Sequence, residues 1–227
     1  MRILTFLQLK HYIKLVFQLI VLYGFSVVHA GSYEDFFTAI KQDNPRVVSE
    51  LLNRGFDPNT LSPSRDYGLI LALREPSLLV MQVLIQWPAT LVEVRSAKDE
   101  SPLMLAALHG LTDVCRQLIA RGADVNKPGW APLHYAATHG HLPVMNLLLE
   151  HHAYIDAASP NGTTPLMMAA RYGTPDAVKL LLEAGADPKL RNGLGLSALD
   201  FAKQADRIDA AALISAAIRN LQPKGTW

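Results

Sequence analysis

Cysteine is nearly absent from this chain, because Cys115 is the only one among 227 residues. No intrachain disulfide can form, so the fold has to be held together by packing. Aromatic residues make up 7% and charged residues 18%, while 50% of the chain is hydrophobic. This balance favours packed helices over twisted sheets. We therefore expect a folded, mainly helical protein with a substantial core.

An excess of charge of one sign is also lacking. The chain has 21 basic and 20 acidic residues, for a formal net charge of +1. Such a chain has no net positive potential that would attract a phosphate backbone or an anionic membrane surface. Phosphate-cradling glycine loops and zinc-finger spacings are missing too. We expect no nucleic-acid partner and no cofactor.

The first thirty residues differ from the rest. Three basic residues precede an apolar run over residues 15–28, and Val28 and Ala30 fit the positions that signal peptidase reads. The run is shorter than the roughly twenty residues that a membrane-spanning helix needs. We predict a signal peptide over residues 1–30 and an exported protein with no membrane association after cleavage. An uncleaved N-terminal anchor remains the alternative.

Three segments align residue for residue: Ser101–Asn126, Ala131–Asp156 and Thr164–Lys189. Each has a proline and a leucine at the start, then paired alanines, a glycine and a second apolar stretch at helical spacing. Pro132 and Pro165 are 33 residues apart, which is a period typical of ankyrin repeats. The chain strongly resembles the ankyrin repeat family.

The resemblance implies an all-α solenoid of six helix-turn-helix units joined by hairpin loops. The expected units span approximately 33–60, 61–95, 96–127, 128–157, 158–190 and 191–221, and residues 222–227 form a tail. Hairpin tips and inner helices should line a concave wall that binds proteins. We expect a monomer that is not an enzyme and binds another exported protein. The family resemblance also favours a bacterial periplasm, with secretion as an alternative.

The repeat motif predicts where its helices begin and end. Prolines should occupy the first turn of the inner helices. We expect Gly110, Gly140 and Gly173 to end these helices at positive φ. At the end of the fourth unit's second helix, His152 replaces the usual left-handed glycine, and histidine is one of the residue types that tolerate this conformation.

Five of the eight histidines lie between residues 131 and 156. The resemblance gives His134 a structural role in the family's Thr-Pro-Leu-His motif, but Ala131 replaces the threonine, so we expect its hydrogen-bond network to be incomplete. His109 and His139 should form a ladder on stacked helices roughly 8–10 Å apart. Two ligands of one zinc must come much closer. A metal site is therefore disfavoured, although a metal-binding accessory factor remains an alternative.

The remaining reactive residue types also have structural interpretations. Cys115 occupies a position that is apolar in the other units, so it should be buried and unreactive. Asp57, Asp124 and Asp187 recur at one place in the repeat, which indicates turn formation. No residues are left to form a catalytic triad.

Register places the candidate partner contacts on hairpin tips and at the ends of inner helices. The hairpin candidates are Lys98, Glu100, Trp130, Asn161 and Thr163, and the inner-helix candidates are Leu108, His109, Thr138, His139, Arg171 and Tyr172. The strongest of these candidates are Trp130, Arg171 and Tyr172, because tryptophan, arginine and tyrosine dominate interface hot spots. Both aromatic residues also have a structural alternative to partner contact: Trp130 covers a shortened hairpin, and Tyr172 packs on His139.

The second unit is irregular after its second helix. Pro88 stands where three of the other units have a capping glycine, and an unusually apolar segment follows up to residue 102. This segment is either a packed loop or an exposed apolar patch that binds a partner.

Overall fold

The computed structural model describes residues 31–221, and within that range the chain forms twelve helices and no β-strand. The expected signal peptide and tail lie outside the described residues. The described part of α1 covers residues 31–41. The others are α2 Pro45–Asn53, α3 Gly68–Arg74, α4 Leu78–Gln86, α5 Pro102–Leu108, α6 Thr112–Ala120, α7 Pro132–His139, α8 Leu142–Glu150, α9 Pro165–Tyr172, α10 Pro175–Glu183, α11 Ala198–Gln204 and α12 Ile208–Asn220.

The helices stack in two layers. From α3 to α11 the odd-numbered helices pack on one another as the inner layer, and the even-numbered helices from α2 to α12 form the outer layer. One continuous apolar core runs between the layers, from Phe36 in the first pair to Ile214 in the last. The fold is the all-α ankyrin repeat solenoid that the sequence predicts.

Capping residues begin the inner helices where the motif predicts. The Ser101 hydroxyl accepts the backbone N–H of Met104 at 3.2 Å, and the Thr164 hydroxyl accepts that of Met167 at 3.4 Å. Each side chain precedes a proline in the first turn. Such caps satisfy backbone donors that have no partner inside the helix.

The helix ends bear out most of the glycine expectations and correct one. Gly110 and Gly140 have φ of 68°, and His152 adopts φ of 62° at the left-handed position. Gly173 instead has φ of −79°, so the expectation of positive φ is wrong there. A Cβ atom at Gly173 would lie 2.4 Å from the carbonyl oxygen of Ala137. Close approach of two helices, rather than backbone conformation, requires this glycine.

The segment after α4 is a packed loop. Val92 and Val94 are buried, with Leu91 the exposed residue beside them. The guanidinium of Arg121, in the next unit, donates to the carbonyls of Ile85, Pro88 and Thr90 at 2.6, 3.1 and 2.8 Å. The bond to Ile85 satisfies a carbonyl in the last turn of α4, where a glycine cap would otherwise provide a backbone donor, and the other two bonds tie the loop to Arg121.

The start of α4 is also capped from a neighbouring unit. Ser77 makes no side-chain capping bond there. Oδ1 of Asp43 accepts the backbone N–H groups of Leu79 and Val80 at 3.0 and 2.9 Å. A carboxylate at a helix N-terminus also interacts favourably with the helix dipole. The degenerate second unit is therefore held by residues on both of its sides.

Candidate functional site

The inner helices present two rows of side chains at equivalent register positions. Leu108, Thr138 and Arg171 are half-buried, and each lies one position before a more exposed residue. The exposed row consists of His109, His139 and Tyr172. Stacking of α5, α7 and α9 brings the members of each row next to one another. We call this surface the inner face.

A groove of about 240 Å³ lies in the inner face, where α5, α7 and α9 meet. Its lining consists of Leu108, Trp130, His134, Tyr135, Thr138 and Met168. It therefore brings together three of the candidate contacts, Leu108, Trp130 and Thr138. We call this feature the groove.

Sequence reasoning missed Tyr135 and Met168. Both lie three residues before a position in the first row, namely Thr138 and Arg171. Side chains separated by three residues share one face of a helix. Counting three residues back from Thr138 and from Arg171 would therefore have identified Tyr135 and Met168 as lining residues from the sequence.

His134 holds the groove in place. Its Nδ1 accepts the N–H of Ala131 at 3.1 Å, so its Nε2 carries the proton and donates to the carbonyl of Thr163 at 3.0 Å. The expectation of an incomplete network is wrong, because the carbonyl oxygen of Ala131 accepts the backbone N–H of His134 at 3.0 Å in place of the missing threonine hydroxyl. Burial lowers the pKa of His134 below its ordinary value, despite opposing hydrogen bonds. The ring is therefore a neutral link between the fourth and fifth units.

Trp130 lies against this histidine. The two ring centroids are 5.2 Å apart in an edge-to-face arrangement, which is a favourable aromatic geometry. The indole is half-buried and lines the groove. The shortened hairpin thus places Trp130 beside the groove.

His141 and His139 form a second histidine contact. Nε2 of His141 donates to the carbonyl of Leu108 at 3.0 Å, which ties the fourth unit to the third. A Cβ atom at Gly110 would lie 2.6 Å from this ring, so the glycine makes room for it. His139 stacks on His141 with centroids 5.7 Å apart. Within residues 31–221 Tyr172 makes no ring contact with His139. Instead, the guanidinium of Arg171 lies 5.3 Å from the centroid of the Tyr172 ring.

The hairpin candidates divide into accessible and occupied residues. Lys98 and Asn161 are exposed. Glu100 accepts from Arg74 at 2.7 Å and is largely buried. Thr163 is only 2% exposed, and its N–H donates to the Ser159 hydroxyl at 2.9 Å. Its side chain is therefore not on the accessible surface, which corrects its place among the contact candidates.

The reactive residue types have structural surroundings. Cys115 is fully buried, and burial raises the pKa of its thiol to about 12. Asp57, Asp124 and Asp187 each accept the N–H two residues ahead, at 2.8 to 2.9 Å, which confirms them as turn formers. No group of three or more His, Cys, Asp or Glu side chains that could hold a metal occurs between residues 31 and 221. None of the helices in that range has the length and apolar character to span a bilayer.

The charged side chains near the groove form ion pairs, which distinguishes them from Arg171. Arg74 pairs with Asp66 and Glu100 at 2.8 and 2.7 Å. Lys127, which is buried, pairs with Asp99. Arg171 lies further along the inner face and donates to Oε1 of Gln204 at 3.3 Å; within residues 31–221 it has no carboxylate partner.

Comparisons with known proteins agree with this architecture. A family model described as ankyrin repeats (3 copies) matches residues 36–128, 69–159 and 124–192. The neurogenic locus notch homolog protein 1 of Xenopus tropicalis is 36% identical over 129 residues, which are 54% of this chain and 5% of that protein. The nuclear factor NF-kappa-B p105 subunit of Gallus gallus is 30% identical over 161 residues, 68% of this chain and 16% of that protein.

A bacterial relative matches over a longer part of the chain. A putative ankyrin repeat-containing protein of Treponema pallidum is 29% identical over 182 residues, which are 76% of this chain and 59% of that protein. The chain thus spans less than two thirds of each of these three relatives.

A solved structure shares the fold. It is the complex of Bd0816, a predatory endopeptidase from Bdellovibrio bacteriovorus, with the immunity protein Bd3460. A chain of this complex matches with a TM-score of 0.69 and 28% identity, over 80% of this chain and 97% of that chain.

Proposed function

Because the chain belongs to the ankyrin repeat family, we propose that it is a non-enzymatic module that binds another exported protein through the inner face. Ankyrin repeats are protein–protein interaction modules. The observation that carries the proposal is the groove of about 240 Å³ in the inner face, which also presents the exposed side chain of Tyr172. A central pocket lined by aromatic residues is typical of interface hot spots.

Three further observations support the non-enzymatic part. The one thiol is buried with a raised pKa, so it is a poor nucleophile. Both nitrogens of His134 are engaged in hydrogen bonds to backbone groups. The recurrent aspartates cap turns. The thiol, this buried histidine and the recurrent aspartates are thus explained by their structural roles in the repeats.

Export and the periplasm rest on the apolar segment at residues 15–28, together with the bacterial relative and the bacterial complex. We propose that the full chain is exported and acts outside the cytoplasm as a monomer. Fractionation of bacteria that express the full chain tests this. Recovery of the chain in the cytoplasmic fraction, with its leader intact, would contradict it.

Site-specific photocrosslinking tests the binding face. A benzophenone side chain placed at His109, an exposed position of the inner face outside the groove, should capture a partner in the intact cell envelope. The same side chain at Asn146, an exposed position on the outer helix α8, should not. Trp130→Ala combined with Tyr172→Ala should weaken capture from the inner face. Equal capture by the double variant would show that the partner binds elsewhere.

A second candidate function is an inhibitory or protective accessory factor for an envelope enzyme. The solved structure that shares the fold is a complex between an endopeptidase and an immunity protein, which favours a peptidase as the client. The purified chain, added to the enzyme captured by crosslinking, should then change the activity or stability of that enzyme in a dose-dependent manner. A captured protein that is unaffected at saturation would exclude this role.

A further inference from the structure

The groove is apolar but contains two polar groups without a partner. Leu108 and Met168 contribute apolar lining. Within residues 31–221, neither the indole N–H of Trp130 nor the hydroxyl of Tyr135 has a hydrogen-bond partner. The Thr138 hydroxyl, by contrast, donates to a backbone carbonyl at 2.8 Å. The groove is therefore suited to an apolar group that has hydrogen-bond acceptors beside it.

The size of the groove sets the size of what it can hold. A protein cavity of about 150 Å³ lined by apolar side chains binds benzene. The groove, at about 240 Å³, has room for one large apolar side chain and is too small for a whole helix. A single anchor residue from an extended segment fits this volume.

Charge indicates what should flank that anchor. The carboxylates near Tyr135 are Asp99 and Glu100, and both are already paired with cations of this chain. Arg171 lies one helical turn after Met168 and so shares its face of α9. In the described residues its guanidinium has no carboxylate partner.

Two aromatic rings hold that guanidinium between α9 and α11, the next inner helix. It lies 5.3 Å from the centroid of Tyr172 and 5.9 Å from that of Phe201. Such cation–π contacts restrict the arginine side chain and reduce the entropy lost when it binds an anion. Arg171 is therefore held in position to bind a carboxylate.

We propose that the groove binds one large apolar side chain from an acidic segment of the partner protein, and that Arg171 binds a carboxylate of that segment. This inference rests on the proposed function and deepens it by naming the chemistry of the partner. The indole N–H of Trp130 and the hydroxyl of Tyr135 donate hydrogen bonds to carbonyl or carboxylate oxygens of the same segment. The partner is thus recognised by an apolar anchor with acidic neighbours.

Three synthetic peptides of equal length test this chemistry against the full chain. The first has a central phenylalanine between glutamates, the second replaces the phenylalanine with serine, and the third replaces the glutamates with lysines. Fluorescence anisotropy should show saturable binding of the first peptide. The second and third should each bind about tenfold more weakly or worse, the size of effect expected when an anchor or a rim charge is lost. Equal affinity for the acidic and basic peptides would overturn the role of Arg171.

Two variants and a matched control locate the site. Arg171→Gln should weaken binding of the acidic peptide about tenfold and remove the preference for the acidic peptide over the basic one. Arg116→Gln removes the same charge from the exposed surface of the outer helix α6 and should change nothing. Thr138→Phe should fill the groove and reduce binding about tenfold or more. Circular dichroism and thermal melting would establish that each variant is folded.

The outcomes separate this inference from the proposed function. If the first peptide shows no saturable binding while crosslinking from His109 still captures a protein, the chemistry assigned to the groove is wrong and the inner face stands. If crosslinking from His109 fails as well, the inner face is not the binding surface and both proposals are overturned.

Discussion

Nε2 of His134 donates a hydrogen bond to the carbonyl oxygen of Thr163 at 3.0 Å, across the boundary between two repeats. The donor sits at the start of α7, and the acceptor ends the hairpin that leads into α9. The same ring accepts the N–H of Ala131. One buried imidazole thus joins its own helix start to the next hairpin, and the joint lies in the wall of the groove.

Acid should weaken this joint. Burial lowers the pKa of His134 in the folded state, whereas the unfolded chain titrates near its ordinary 6.5. The unfolded state therefore binds the proton first, and the free energy of unfolding falls as pH drops below about 6.5, until the folded-state pKa is reached. The slope is at most about 1.4 kcal/mol per pH unit.

Urea unfolding at a series of pH values from neutral down to below 6 measures this loss. His134→Gln should remove most of the slope, and His151→Gln, which changes an exposed histidine, should retain it. The same slope in both variants would contradict the assignment to His134.

Asp43→Ala should destabilise the second unit. It removes the carboxylate that accepts the N–H groups of Leu79 and Val80 at the start of α4. Loss of a helix cap lowers the free energy of unfolding by about 1–2 kcal/mol. Chemical denaturation measures the loss, and hydrogen exchange should locate it to α4. Glu150→Ala, at an exposed site that has no ion pair within residues 31–221, should stay within about 0.5 kcal/mol of the wild type.

Arg121→Ala should loosen the loop that follows α4. Three carbonyls would lose a charged donor, and such hydrogen bonds contribute about 1.5–3 kcal/mol each without being additive. We expect a total loss near 3 kcal/mol and faster hydrogen exchange over residues 86–95. Arg121→Lys should recover only part of the lost stability, because the ammonium group lacks the planar set of N–H donors with which a guanidinium reaches several carbonyls. Unchanged hydrogen exchange in Arg121→Ala would show that the loop is stable without the hydrogen bonds of Arg121.

Gly173→Ala should be more damaging than Gly185→Asn, although both glycines end a helix. A Cβ atom at Gly173 would meet the Ala137 carbonyl at 2.4 Å, and overpacking of this kind lowers the free energy of unfolding by about 1–3 kcal/mol. Gly185 has φ of 99° with open space around it, and asparagine tolerates left-handed conformations. Thermal melting of the two variants should rank them in this order.

Local sequence signals predicted the repeat architecture well. The first-turn prolines, the Ser101 and Thr164 caps and the left-handed His152 all depend on residues within a few positions of one another, so one sequence suffices to read them. Burial of Cys115 followed from the register of the repeats. Errors arose where the decisive partner lay in another unit: the Ala137 carbonyl beside Gly173, and the Asn192 side-chain amide, which donates to the Thr163 hydroxyl.

By itself, the sequence determined the period, the helices and the face on which each side chain lies, because these follow from backbone preferences and apolar spacing. Only the tertiary structure decided that Arg121 closes the irregular loop, that Asp43 caps α4, and that Trp130, Tyr135 and Met168 meet in one groove. Each of these joins side chains to groups in a neighbouring unit. Such contacts depend on how imperfect copies stack, and no local pattern encodes that stacking.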